Sequence, residues 1–294
     1  MTDNATQQVW FITGSSRGFG RALAESALEA GHLVAATARR PEQLDDLVAQ
    51  YGDRVAALAL DVTDAAAASA AIAAAASRFG RLDVVVNNAG YADLAPIETG
   101  DEAGFRAQFD TNFWGVYNVS RAATPVLRAQ GGGLIVQFSS IGGRVGGQPG
   151  LGSYQAAKFA VDGFTRVLAA EVAPFGVKTM VVEPSGFATD WAGSSMTIPE
   201  VPEEYLPTVG AIRDHLGGAG RPAGDPRRAA QIILEAARRQ TPPSHLLVGA
   251  DAAEMALAYS KSQLAEADAW AAVSRSADFD QPFPAAFPAD APGV

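Results

Sequence analysis

Short runs of β-branched and apolar residues alternate with longer helical stretches through most of this chain, and that alternation constrains the fold more than any other feature. The runs are Val9–Thr13, Leu33–Thr37, Val55–Leu60, Val84–Asn87, Leu134–Phe138 and Thr179–Glu183, with a weaker seventh at Leu246–Val248. They are nearly continuous in apolar character rather than alternating, which is the pattern of strands covered by helices on both faces. Parallel neighbours need long crossovers, and helices beginning near Gly18, Pro41, Asp64, Asp101, Tyr154 and Pro226 supply them. The expected architecture is one α/β domain spanning 1–294: a doubly wound, mainly parallel seven-stranded sheet.

The 294 residues are 48% hydrophobic and 18% charged, so the chain carries enough apolar material to fill a core of this size. The formal charge is −10 and no run of Lys or Arg occurs. This excludes a nucleic-acid surface and docking on anionic lipid, so no nucleic-acid or membrane partner is expected. Any phosphate site must then be made locally, from a few arginines and backbone amides. With no cysteine, disulfides, thiolate catalysis and thiolate metal sites are excluded. The histidines at 32, 215 and 245 show no ligand spacing, so no metal is expected. The opening MTDNATQQ lacks a secretory pattern, and no apolar run reaches the ~18 residues of a membrane span, so a cytoplasmic location is expected.

Two segments break the strand–helix rhythm. Residues from Gly186 to about Asp225 follow the sixth strand with only weak periodicity, at the end of the sheet where ligands bind, and read as a substrate lid. Residues 250–294 read as a C-terminal extension: a helix over Ala252–Ser274, then the proline-rich FDQPFPAAFPADAPGV. The core is thus about 8–248, with the lid at 186–225.

Between the first strand and first helix lies Thr13-Gly14-Ser15-Ser16-Arg17-Gly18-Phe19-Gly20. Glycines there permit a tight turn and let backbone amides approach a diphosphate at a helix N-terminus. An ordinary strand-to-helix bend would also use glycine, but the position after the first strand of a β-α-β unit favours a cofactor site at Gly14, Ser16, Arg17, Gly18, Phe19 and Gly20. After the second strand a dinucleotide site selective for NAD(H) carries a carboxylate. Here Thr37-Ala38-Arg39-Arg40 stands instead. Arg39 offers a forked donor for a 2′-phosphate, with Arg17 approaching from the other side, so NADP(H) is preferred and NAD(H) is the alternative. Asp61 and Val62 suit an adenine-edge contact; a helix cap at Asp61 or Asp64 is the competing reading. Asn88, Ala89 and Gly90 form a turn suited to holding neighbouring strands or the cofactor.

Tyr154 and Lys158 are four residues apart on a predicted helix and so share a face. Two opposite charges ~4–5 Å apart at an effective dielectric of ~20 interact by roughly 3–4 kcal/mol. Such a neighbour would lower the phenol's pKa from about 10 by about 2–3. The pair could then exchange a proton with a carbonyl or an alcohol near neutral pH.

Together, TGSSRGFG, NNAG, Asn112 within TNFWG, SSIGG and YQAAK resemble the short-chain dehydrogenase/reductase family over about residues 8–248. The resemblance implies a single-domain Rossmann-type fold. It implies Tyr154 as general acid in reduction and base in oxidation, and Lys158 as the group that lowers the phenol's pKa and holds the nicotinamide ribose. It also implies a serine that polarises the carbonyl, for which Ser140 is preferred over Ser139, and Asn112 as the holder of a relay water. Pro184, Gly186 and Thr189 would meet the nicotinamide, with Ser185 standing where relatives have glycine and its hydroxyl free to reach the substrate cleft. Helices near Asp101–Arg128 and Ser153–Ala173 would pair subunits into a homodimer or homotetramer.

The expected cleft wall, Tyr91, Val145, Gln148, Leu151, Phe187, Trp191 and Met196, is mainly apolar. A small-molecule substrate follows: a hydrophobic ketone or aldehyde, or the corresponding secondary alcohol, handled by an NADPH-dependent reductase. An NAD-dependent, hydroxysteroid-like alcohol dehydrogenase is the enzymatic alternative. A non-catalytic dinucleotide sensor is a third reading, weakened because both Tyr154 and Lys158 are present.

Overall fold

Every apolar run forms a strand in the computed structural model, which describes residues 7–189, 196–218, 223–283 and 286–288. In chain order, β1 (Val9–Ile12) leads to α1 (Gly18–Glu29), β2 (Leu33–Ala38), α2 (Asp45–Tyr51), β3 (Val55–Ala59), α3 (Ala65–Phe79) and β4 (Val84–Asn87). A short β5 (Ala92–Asp93) precedes α4 (Glu102–Phe109) and α5 (Gly115–Ala129). Then come β6 (Gly133–Phe138), α6 (Gly152–Val172), β7 (Val177–Pro184), β8 (Met196–Thr197), α7 (Ala211–Gly218), α8 (Pro226–Ala237), β9 (His245–Val248) and α9 (Ala250–Arg275). Seven strands make one parallel sheet in the order β3-β2-β1-β4-β6-β7-β9. The chain winds outward in one direction from β1 to β3 and in the other from β4 to β9. The order therefore reverses between β1 and β4, and a crevice opens beyond their carboxyl ends.

Strand alternation splits the core in two. Trp10, Ile12, Val34, Val86, Val136 and Val182 face one side with Leu23 and Leu28 of α1 and Ile233 of α8. Val9, Phe11, Ala35, Val85 and Ile135 face the other with Ile72 of α3, Val119 and Leu127 of α5, and Leu168 of α6. The helices start where the sequence offers caps. Asp64 accepts from the amides of Ala66 at 2.8 Å and Ala67 at 3.0 Å, opening α3, which ends at Gly80 in the left-handed region (φ 79°). Asp225 caps α8 in the same way, with Pro226 at its first turn.

Three local features differ from the simplest reading of the pattern. The stretch expected as one helix from Asp101 is two, α4 and α5, joined by a wider π-turn over Asp110–Trp114 that carries Asn112. The helix at Pro41 begins as a 3₁₀ turn, Pro41–Leu44, before α2. The segment read as a lid holds regular structure: β8 pairs with β5 through Ala92↔Met196, and turns over Glu203–Tyr205 and Leu206–Gly210 lead into α7. These elements are short and flanked by Pro202 and Pro207, so no periodicity could develop. Trp191 lies outside the described residues.

At the far end of the sheet His32 is buried beneath Trp10, their rings 6.3 Å apart. Its Nδ1 accepts from the Gln8 amide at 3.2 Å, while Nε2 has no partner among the described residues. Burial holds its pKa below the usual 6.5. The unfolded chain therefore binds a proton at this position below about pH 6.5, while the folded chain resists it. Stability contributed here is full above that pH and is lost as pH falls toward the lowered value. In urea unfolding at a series of pH values from 7.5 to 5.0, His32→Gln is expected to flatten the acid-side decline, whatever its effect at pH 7.5. An unchanged slope would mean that this ring does not titrate on unfolding.

Candidate active site

The glycine turn and the NNAG stretch meet at the switch point and are bonded to each other. Thr13 Oγ1 accepts from the amides of Asn88 at 2.9 Å and Ala89 at 3.0 Å. Asn88 Nδ2 donates back to the carbonyls of Thr13 at 2.9 Å and Gly14 at 3.2 Å. Gly14 and Gly18 adopt φ of 68° and 58°, which side chains disfavour. A Cβ at Gly20 would stand 2.2 Å from the Gly14 carbonyl oxygen, so only glycine lets α1 start this close to its own turn. No side chain caps α1, so the first amides of the helix are left for a ligand.

A cleft of about 1060 Å³ opens over this turn. Its walls include Gly14, Ser16, Arg17, Gly18, Phe19, Arg39, Asp61, Val62, Asn88, Ala89, Gly90, Tyr154, Lys158, Pro184 and Thr189, all singled out from the sequence. Gly20, Asn112, Ser140 and Gly186 are not among its walls, whereas Ser139 is: Gly20 packs on its own turn, and the Gly186 carbonyl accepts from the Gly224 amide at 3.2 Å. The cleft also takes in Arg40, Gln43, Thr63, Asp110, Thr111 and Phe138, which the motifs did not indicate. Arg40 was legible as the neighbour of Arg39, whereas Asp110 and Thr111 stand on the π-turn, which no motif marks. Asp64 is the helix cap, and the Asp61 carboxylate instead accepts from the Thr63 amide at 3.0 Å and hydroxyl at 2.8 Å while still facing the cleft. Arg39 and Arg40 are exposed at the end of β2, and no carboxylate among the described residues pairs with either. A glycine cradle, free helix amides and two unpaired guanidinium groups fit an elongated dianionic ligand with a further phosphate, as a nicotinamide dinucleotide has.

At the other end of the cleft, α6 presents Tyr154 and Lys158, both buried. Ser139 Oγ donates to the Lys158 carbonyl at 3.0 Å and is committed to the backbone of α6. Ser140 Oγ accepts from the Gly142 amide at 3.1 Å, which leaves its own proton to donate, and it hydrogen-bonds the Tyr154 phenol. Lys158 Nζ donates to the Phe138 carbonyl at 2.7 Å and lies 5.7 Å from the centre of the Tyr154 ring. Asn112 is fully buried: its Oδ1 accepts from the Tyr91 amide at 3.0 Å and its Nδ2 donates to the Tyr91 carbonyl at 2.7 Å. A Cβ at Gly90 would meet Asn112 Oδ1 at 2.8 Å and Lys158 Nζ at 3.6 Å, so that glycine leaves the space between the two groups open.

The expected lowering of the phenol's pKa by Lys158 is not what this geometry yields. Burial pushes the Tyr154 phenol up to about 12, with the Ser140 hydrogen bond opposing it, and burial brings Lys158 down to about 8. The ammonium is anchored on a backbone carbonyl and stands over the ring, and desolvation of the phenol is the dominant influence.

The substrate side also needs correction. Leu151 and Met196 do pack with Tyr154, together with Leu94, Val201 and Val209. Val145 instead packs with Ile141 against Ala252 and Ala256 of α9, and Phe187 turns into the core, its ring 4.9 Å from that of Phe19. Gln148 is exposed. The Ser185 hydroxyl faces Gly249, where a Cβ would approach it to 2.3 Å, and not the cleft. These side chains follow a strand end or a turn, where one residue of offset decides which face is met.

A glycine cradle at the switch point of a parallel sheet, opposite a buried tyrosine and lysine, is the architecture of a dinucleotide-dependent oxidoreductase. The family model described as short chain dehydrogenase matches residues 8–197. The chain is 52% identical over 251 residues to Oxidoreductase BOA17 of Botryotinia fuckeliana, covering 85% of this chain and 91% of that one. A crystal structure of a short-chain dehydrogenase from Streptomyces avermitilis superposes with a TM-score of 0.86 at 40% identity, over 93% of this chain and all of that one. A Burkholderia cenocepacia short chain dehydrogenase in complex with NADP gives 0.72 at 28% identity, covering 89% and 96%. A 3-ketoacyl-(acyl-carrier-protein) reductase from Brucella melitensis complexed with NADH gives 0.67 at 26%, covering 82% and 96%. The chain belongs to the short-chain dehydrogenase/reductase family of oxidoreductases.

Proposed function

We propose that the protein is an NADPH-dependent carbonyl reductase acting on apolar ketones or aldehydes. The observation that carries this reading is one cleft with Arg39 and Arg40 at one end and the buried Tyr154 and Lys158 at the other, the Tyr154 phenol being hydrogen-bonded to Ser140 behind the cleft wall. Gly14, Gly18 and the α1 amides would hold the diphosphate, Thr189 and Pro184 the nicotinamide, and Arg39 with Arg40 the 2′-phosphate. Solved neighbours with NADP and with NADH both share the fold, and what supports NADPH for this chain is the two arginines and the missing carboxylate after β2.

The bound dinucleotide supplies the hydride. The protein's own groups manage the oxygen. Ser140 and Tyr154 are hydrogen-bonded to each other and would both donate to a carbonyl oxygen, stabilising the negative charge that builds as the carbon is reduced. A phenol with a pKa of about 12 keeps its proton at neutral pH, yet it gives that proton readily to the far more basic alkoxide. Lys158, mostly charged at pH 7, would hold the ribose hydroxyls, and Asn112, fixed by Tyr91, stands where a proton relay to it would run. Leu94, Leu151, Val201 and Val209 surround Tyr154 with hydrocarbon, which favours apolar substrates over sugar phosphates or keto acids. Exposed Phe105 and Trp114 on α4 and the π-turn, with Phe159 and Val167 on α6, are the surface by which a homodimer or homotetramer would form.

The test is a panel of phenanthrenequinone, aryl ketones, long-chain ketones, keto acids and sugar phosphates, run with NADPH and with NADH while following loss of reduced-cofactor absorbance. Apolar carbonyls with NADPH are expected to react fastest. If no carbonyl is reduced with either dinucleotide, the reading is wrong.

A further inference from the structure

A buried charge stands behind the reacting group rather than in it. Glu183 is 1% exposed, sits on β7 immediately before the cleft-lining Pro184, and faces away from Val182 toward the α6 side of the sheet. Both of its carboxylate oxygens accept from Arg144: Nε lies at 3.1 and 2.9 Å, and a terminal guanidinium nitrogen at 2.9 Å. Among the described residues Glu183 has no other ion-pair partner.

Arg144 closes the turn that carries Ser140. That 3₁₀ turn spans Ile141–Gly143 with Ser140 at its start, and the Arg144 amide donates to the Ile141 carbonyl at 3.0 Å. On one side the turn is pressed onto α6, for a Cβ at Gly143 would come within 2.4 Å of Ser139 Oγ and 2.7 Å of Lys158 Cβ. On the other side it is tied to β7 through the Arg144–Glu183 fork. Backbone pairing already sets the start of the turn on β7, the Ser139 amide donating to the Val182 carbonyl at 2.9 Å, and the fork ties its far end to the same strand. A planar guanidinium–carboxylate fork fixes both distance and orientation, which apolar packing at the same place would not.

We infer that Arg144 and Glu183 are a positioning pair for Ser140, holding its turn in register with the end of β7 where Pro184 meets the cleft. Neither residue lines the cleft. The inference rests on the carbonyl-reductase reading above and deepens it. Removing one partner would strand the other's charge, so the informative variant is the neutral, similarly shaped pair Arg144→Met/Glu183→Gln.

The experiment measures phenanthrenequinone reduction with NADPH for that pair, in the Ser140 enzyme and again in a Ser140→Ala background. With Ser140 present, kcat is expected to fall roughly 10- to 100-fold, as displacement of a reacting group by a fraction of an ångström requires. The dissociation constant for NADPH should stay within about threefold. In the Ser140→Ala background the same change should cost less than about threefold, because the group being positioned is gone. An unchanged kcat, or an equal loss in both backgrounds, would overturn the inference. Should the neutral pair fail to fold, Arg144→Lys, which keeps the charge and loses the fork, goes through the same cycle under the same criteria. Tyr154→Phe separates the two claims. Retained activity in that variant defeats the functional reading itself, whereas an inactive Tyr154→Phe beside an additive cycle defeats only the positioning role.

Discussion

Tyr154→Phe is expected to lower kcat for carbonyl reduction by about 10³-fold or more and to leave NADPH binding within about threefold. The ring is packed among Leu94, Leu151, Val201 and Val209, and phenylalanine fills the same space, so the variant should fold and unfold as the parent does. What it lacks is one oxygen and one proton. The alkoxide left after hydride arrival would have no donor but water, and Ser140 would lose its hydrogen-bond partner. Because the phenol stands at the opposite end of the cleft from the residues proposed to hold the diphosphate and adenosine, fluorescence titration with NADPH should give a near-normal dissociation constant. A variant that binds and still reduces the carbonyl at more than about a tenth of the parental rate would exclude Tyr154 as the acid. Loss of both binding and turnover would instead point to collapse of the site.

How much of this was legible in the sequence depends on how local the determinant is. The seven strands were, because continuous apolar runs bounded by turns leave few alternatives. The cleft at the switch point was also legible, since the glycine spacing, NNAG and the Tyr154–Lys158 pair each sit at a strand end or on a helix face whose place the topology dictates. Features set by packing between distant segments were not. The π-turn at Asp110–Trp114 inserts one residue into what periodicity shows as a continuous helix, and its first residues, Asp110 and Thr111, line the cleft. Pairing of Arg144 with Glu183 crosses 39 residues, and nothing in either local pattern marks it. The sign of the Tyr154 shift was missed for a related reason. Spacing gives the charge neighbour, but burial by Leu94, Val201 and Val209, which outweighs it, appears only in three dimensions.

Replacing Arg39 and Arg40 together by serine should erase most of the preference for NADPH over NADH. A hydrogen bond to a charged group contributes about 1.5–3 kcal/mol when well made. Both guanidinium groups are exposed, and solvent screening brings the expected loss nearer 1–1.5 kcal/mol each. The ratio of kcat/KM values for the two dinucleotides should then drop by roughly 30- to 150-fold. Nearly all of that change should appear in KM for NADPH, because the 2′-phosphate lies far from the reacting carbon and is held equally in ground and transition states. Raising the salt concentration should erode the parental preference in the same direction, since exposed charges are being screened. NADH kinetics should scarcely move. If the ratio holds within about threefold, selection rests elsewhere in the cleft and the assignment of Arg39 and Arg40 fails. The outcome also bears on Tyr154→Phe: one variant should lose KM and keep kcat, the other the reverse. That opposition is what a cleft with separate anchoring and reacting ends requires, and a site whose two ends were coupled would show both parameters moving together in both variants.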